Sequence, residues 1–159
     1  MPRPVLFLDV DGVLNPYGAA ECPPGFAEHD LFPGEEPVRL CRAHGAWITQ
    51  LRETFDVVWA TSWNSEANRL LAPLLGLAPL PLAHMPQAPF HPREKVRVIA
   101  RFTGARPAVW IDDQHTPEAR LWSTTRAQPT LLIPVDPTTG LTKDAVDQAL
   151  AWAGDEAQA

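Results

Sequence analysis

The sequence predicts an α/β fold, with an open, mainly parallel sheet sandwiched between two layers of helices. Three observations carry this. Four strand-length segments are continuous apolar runs, the pattern of strands buried on both faces. Segments with helical periodicity alternate with them, as parallel strands joined by crossover helices require. Polar residues collect just past the carboxyl ends of three of the runs, where open α/β sheets bind their ligands.

In chain order, the first strand is "VLFLDV" (5–10) and the second "DVVWAT" (56–61), with "AVWID" (108–112) and "TLLIPV" (130–135) following. A weaker fifth strand, "LPLAH" (80–84), is short and flanked by proline. Helical patterns cover 44–54, 65–75, 93–103 and 142–154. Pro73 should kink or shorten the second. Thr142 is placed to cap the start of the last, and Gly154 its end. Residues 15–43 are rich in Pro, Gly and Glu without helical period, and read as a long loop or small hairpin with "EPVRLC" as its best strand. After Gly154, "DEAQA" (155–159) reads as a frayed tail. With no repeat and no linker, residues 1–159 are expected to form a single domain.

Composition narrows the function. A formal charge of −6 argues against a chain that coats nucleic acid non-specifically. Two cysteines are too few for a disulfide framework and point to a reducing, cytoplasmic setting. Cys22, His29, Cys41 and His44 could be drawn as a zinc site, but their spacing matches no common one, and free structural cysteines are the simpler reading. No apolar run reaches the roughly 20 residues that span a membrane, and the N-terminus lacks a signal-peptide core.

The strand ends carry the chemistry. Asp9 and Asp11 close the first strand, Thr61 and Ser62 the second, and Asp112 and Asp113 the "AVWID" strand. Aspartates gathered at one edge repel each other unless a cation sits among them, and an all-oxygen cluster suits Mg²⁺. Such a metal would draw in a phosphate, whose oxygens Thr61, Ser62 and the following helix N-terminus could hold. Lys95 adds a further cation. These groups together describe a phosphoryl-transfer site.

"DVDGVLN", "VVWATSW", the lysine of "HPREKVRVI" and "VWIDDQ" resemble, in order and spacing, the motifs of the haloacid dehalogenase (HAD) superfamily. The resemblance implies a Rossmann-like three-layer sandwich with a mainly parallel five-stranded sheet. It implies Asp9 as nucleophile, forming an aspartyl-phosphate, and Asp11 as general acid and then base. Gly12 would let the backbone turn beside the phosphate, Thr61 would bind the phosphoryl group, and Ser62 could share or replace that role. Lys95 would stabilise the intermediate, with Arg93 the other candidate for that motif. Asp112 would complete Mg²⁺ coordination with Asp9 and the Asp11 carbonyl, with Asp113 assisting. The Asp at position 11 is characteristic of the phosphatase branch.

Asp11 to Thr61 leaves no room for a separate folded cap, and Lys95 to Asp112 holds only a helix and a strand. The expected fold is therefore capless, with residues 15–37 as at most a flap. An open site suits a phosphate on a macromolecule or on small esters. Arg93, Arg97 and Arg101 recur every fourth residue and could guide a nucleic-acid backbone into the site, or form a solvated helix face. Asn15 and Asn64 could touch substrate or cap turns, and Trp63 could stack on a base or simply pack. The short chain and its motif style are similar to HAD domains associated with RNA-repair proteins. The expected function is a Mg²⁺-dependent phosphatase acting on nucleic-acid ends, nucleotides or another accessible phosphomonoester. The alternative is a non-catalytic HAD-like or phosphoacceptor binding module, the phosphoacceptor disfavoured because the separated Asp pair precedes the adjacent pair, and the inert module because Asp11 is retained.

Overall fold

The computed structural model describes residues 2–158. Its central sheet has four parallel strands in the order β4-β1-β5-β6, formed by β1 (Val5–Leu8), β4 (Asp56–Trp59), β5 (Ala108–Asp112) and β6 (Thr130–Pro134). Between β1 and β4 lie the antiparallel pair β2 (Ala27–His29) and β3 (Val38–Leu40) and helix α1 (Arg42–Arg52). A π-helical segment, Ala67–Leu71, runs into α2 (Ala72–Leu74). The remaining helices are α3 (Glu94–Thr103), α4 (Pro117–Thr125) and α5 (Lys143–Ala157).

Alternation along the buried strands builds two cores. Leu6, Leu8, Val57, Trp59, Val109 and Ile111 point to the face covered by α1 and α5, where Ile48, Leu51, Val146 and Ala149 meet them. Val5, Phe7, Val58, Ala108 and Trp110 point the other way, onto Ile99 of α3 and Ala119 of α4. Each fully buried side chain of this size contributes about 1.5–3 kcal/mol. On the first face Gly45 lets α1 approach the chain at Leu75, whose carbonyl oxygen would lie 1.8 Å from an added Cβ.

The expected fifth strand reduces to a bridge: Trp59 donates to Pro81 O at 2.9 Å, and Ala83 donates to Trp59 O at 2.9 Å. Pro81 has no N–H, so the segment cannot extend its ladder, and the parallel sheet has four strands. Pro73 leaves its mark as a widened turn. Ala72 N–H bonds Ala67 O, five residues back, an arrangement that relieves the clash of the proline ring with the preceding turn.

Thr142 caps α5, accepting from Ala145 N–H at 3.2 Å. Gly154 does not end that helix, which runs to Ala157, so residues 155–157 continue it instead of fraying; residue 159 lies outside the described residues. Helix α4 has no counterpart in the periodicity, because it buries only Ala119 and leaves Leu121 63% exposed. Its start is nevertheless written in the sequence: Thr116 accepts from Ala119 N–H, and Pro117 opens the helix.

Candidate active site

The register of β1 sets the site. Leu8 pairs with Trp59 on one side and Ile111 on the other, so three strands end side by side. The next residues, Asp9, Ala60–Thr61 and Asp112, therefore emerge together where the strand order switches sides of β1. They open into a cleft of about 490 Å³ lined by Asp9, Asp11, Ser62, Lys95, Asp112 and Asp113, with Tyr17 and Phe90 at its walls.

Lys95 is the buried hub. Its position on α3 faces the sheet, and its Nζ lies 2.7 Å from Asp112 Oδ2, 3.2 Å from Asp9 Oδ2 and 3.0 Å from Ala60 O. Asp112 also accepts the Trp110 indole N–H at 3.1 Å and Gln114 N–H at 3.0 Å, which fixes both its oxygens. Asp9 Oδ1 accepts Val10 N–H at 2.8 Å.

The electrostatics follow from one cation serving three carboxylates. Burial, and then repulsion from Asp112, push Asp9 well above the ordinary carboxylate range, against the pull of Lys95. Burial would raise Asp112 too, but the charge and hydrogen bond of Lys95 outweigh it and hold this group below its usual value. For Lys95 itself, burial lowers the pKa, but Asp9 and Asp112 more than offset it. Asp113 is pushed up to about 6 by burial and by its contact with Asp112.

Asp9, Asp112 and Asp113 each place one carboxylate oxygen within 4.8 Å of the others, making an all-oxygen group able to hold a metal ion. The donor set is hard, and two of its three members, Asp9 and Asp113, are driven towards protonation by burial and by the neighbouring Asp112. Both features fit a divalent cation such as Mg²⁺.

Asp11 stands apart from this cluster. Its carboxylate accepts the Asn15 amide at 3.1 Å and the Trp63 indole N–H at 3.1 Å, two neutral donors that aim it. Asn15 is itself pinned, accepting Arg39 N–H at 3.0 Å. Arg39 in turn binds the carbonyls of Pro16 and Ala19, fastening the start of the flap. From that flap Tyr17 donates to Asp113 at 3.1 Å. Gly12 turns beneath the site at φ +85°, and an added Cβ would lie 2.3 Å from Asp113 Oδ2.

Several sequence-based assignments change place. Ser62 lines the cleft, whereas Thr61 is buried and its hydroxyl accepts Trp63 N–H at 3.2 Å. Asn64 does not face the cleft: its amide donates to Met85 O at 3.2 Å and its carbonyl accepts Met85 N–H at 2.8 Å. Arg93 and Arg97 do not line it either; they lie exposed at the start of α3 and flank a separate hollow beside Glu118, and Arg101 is exposed further along the helix. The expected metal contact of Asp11 is its backbone carbonyl, and its carboxylate is not one of the three gathered in the acidic cluster. Among the described residues, no three of Cys22, His29, Cys41 and His44 come together as a metal-ligating group, and His44 Nε2 contacts Leu141 O at 3.0 Å.

Three positioning residues escaped the sequence reading. Tyr17 carried no motif signal. The sequence offers Trp63 for base stacking or packing and sets Trp110 inside a strand, and only the fold brings their indole N–H groups onto Asp11 and Asp112.

Among the described residues, no helix is long and apolar enough to cross a membrane. A search of curated proteins and a search of solved structures return no match. A family model described as the HAD domain in Swiss Army Knife RNA repair proteins matches residues 5–146, which takes in the strands, the acidic cluster and Lys95. The chain belongs to this family of HAD-type domains.

Proposed function

We propose that this domain is a Mg²⁺-dependent phosphomonoesterase that uses Asp9 as a covalent nucleophile. The observation that carries the reading is the buried Asp9–Lys95–Asp112 group beside a separately held Asp11 at one open cleft. Family membership supports HAD-type phosphohydrolase chemistry in general and suggests a phosphorylated nucleic-acid end or nucleotide as substrate. We read residues 1–159 as one such domain with 15–43 as its flap, in a cytoplasmic setting that suits two free thiols.

Asp9, Asp112 and Asp113 would hold the Mg²⁺, with the Asp11 carbonyl as a further ligand. When bound, the ion supplies charge neutralisation for the phosphoryl oxygens and the carboxylates. Asp9 attacks phosphorus, forming an O–P bond as the ester P–O bond breaks, and Asp11 delivers its proton to the leaving oxygen. Asp11, now ionised, takes a proton from water as that water's oxygen attacks the aspartyl-phosphate. Inorganic phosphate leaves and Asp9 is restored. Lys95 stays charged throughout, holding Asp9 in place and offsetting the negative charge of the intermediate. Ser62 and the Thr61 hydroxyl offer hydrogen bonds to the transferred group.

Phosphate release from an aryl phosphate, with Mg²⁺ and then with chelator, tests this. Multiple turnovers that need the metal, and fall at least about 100-fold in Asp11→Asn, are expected. Turnover unaffected by chelator, or equal in the variant, refutes the mechanism.

A further inference from the structure

A second cleft, of about 510 Å³, adjoins the first and shares Asp11, Ser62 and Ala88 with it. Phe32 and Trp63 form one wall, and Glu35, Glu36 and Glu66 lie around it. No lysine or arginine lines it. Glu66 pairs with Arg69, but among the described residues Glu35 and Glu36 have no ion-pair partner.

Asp11 fixes the use of this cleft, an argument that rests on the reaction proposed above. The leaving oxygen takes its proton from Asp11, so the group attached to that oxygen must lie on the Asp11 side of phosphorus. The neighbouring cleft is the space there. The Phe32 and Trp63 rings pack on each other, with centroids 5.3 Å apart, so no ring enters between them and a planar ligand must lie against their outer surface. The free carboxylates accept hydrogen bonds from hydroxyl and amino groups but repel any further phosphate. A leaving group that is uncharged, carries a flat ring and bears several donors satisfies every wall.

We propose that this cleft is the leaving-group subsite and takes the nucleoside of a mononucleotide, with Glu35 and Glu36 selecting against a second phosphate. Phe32 and Trp63 supply the stacking surface, and the sugar hydroxyls or base amino groups meet the carboxylates. A strand end, whose next phosphodiester sits one nucleotide away, is disfavoured by the same charges. The proposal thus narrows the substrate from nucleic-acid ends and nucleotides to mononucleotides.

The test compares kcat/KM in Mg²⁺ for an aryl phosphate, ribose 5-phosphate, a nucleoside 5′-monophosphate, the matching 3′,5′-bisphosphate and a 5′-phosphorylated oligonucleotide. The monophosphate should exceed the bisphosphate and the oligonucleotide by about tenfold at low salt, and Glu35→Gln/Glu36→Gln should remove most of that gap. Phe32→Ala should raise KM for the monophosphate about tenfold more than it raises KM for ribose 5-phosphate, a comparison that a misfolded variant cannot mimic. Bisphosphates or oligonucleotides hydrolysed as well as the monophosphate, or a Phe32→Ala effect equal on both substrates, overturns the proposal while aryl phosphate turnover keeps the phosphatase reading intact. If the aryl phosphate is not hydrolysed, that reading fails, and calorimetric binding of the monophosphate and bisphosphate decides the subsite by itself. Tighter monophosphate binding, levelled by Glu35→Gln/Glu36→Gln, upholds it; equal binding refutes it.

Discussion

Replacing Lys95 by methionine keeps most of the side-chain volume and removes the one cation buried among the carboxylates. At an effective dielectric of about 20, the 2.7 Å and 3.2 Å contacts are worth about 6 and 5 kcal/mol of Coulomb attraction before desolvation. Desolvation of Lys95 cancels much of this, but its loss leaves carboxylate oxygens within 4.8 Å of each other, a repulsion of at least roughly 3.5 kcal/mol on the same scale. Breaking one side of a buried ion pair generally costs about 3–5 kcal/mol. For a domain of this size each kcal/mol shifts Tm by about 2–4 °C, so Lys95→Met should melt roughly 6–20 °C below wild type in chelator. Mg²⁺ should recover a large part of the deficit, since a divalent cation meets the same need. Acid should shrink it as well, because protonated aspartates no longer repel. Thermal melts of both proteins, with chelator, with Mg²⁺ and across pH, make the check. A variant as stable as wild type in chelator, or a deficit indifferent to both metal and pH, would refute the electrostatic argument.

Metal binding should itself depend on pH. Asp9 and Asp113 are raised in the metal-free protein, so their contribution to stability is present below the unfolded value and lost as pH rises through the folded one, about 6 for Asp113. Mg²⁺ binds the ionised forms, so the Tm gain it confers should be larger near about pH 7.5 than near about pH 5, as paired melts will show. Gly12→Ala forces an unfavourable φ and presses a methyl group on Asp113; about 1–3 kcal/mol of stability should go, and Mg²⁺ affinity with it, read by urea unfolding and calorimetric titration. Asn64→Ala deletes both hydrogen bonds to the Met85 backbone at a residue with φ +48°, and should cost about 2–3 kcal/mol in the same unfolding assay.

The strands and the acidic edge were legible because their signals are local. β1, β4 and β5 bury apolar residues on both faces, and a polar residue stands at or within two positions of each strand's end, so sheet order alone brings Asp9, Ala60–Thr61 and Asp112 together. The "LPLAH" segment had the composition of a strand but not the donors, since a proline supplies no ladder hydrogen bond. The arginine stripe was read for its spacing and not for its phase. At about 100° per residue, a two-residue step sets Arg93 and Arg97 nearly opposite Lys95, so a helix that buries Lys95 must turn them outward. Tyr17 on Asp113, Trp63 on Asp11 and Asn64 on Met85 are contacts that local pattern does not encode, made only when the flap and the turn after β4 close on the sheet.

In the proposed mechanism Asp9 carries the phosphoryl group during turnover. Acid quench of the Mg²⁺-loaded protein during hydrolysis of a substrate with a radiolabelled phosphate tests this most directly. Wild type should show many phosphates released per chain and a hydroxylamine-labile label on the protein, and Asp9→Asn should show neither. Label without release would mark a phosphoacceptor, and turnover that survives in Asp9→Asn would contradict the account outright.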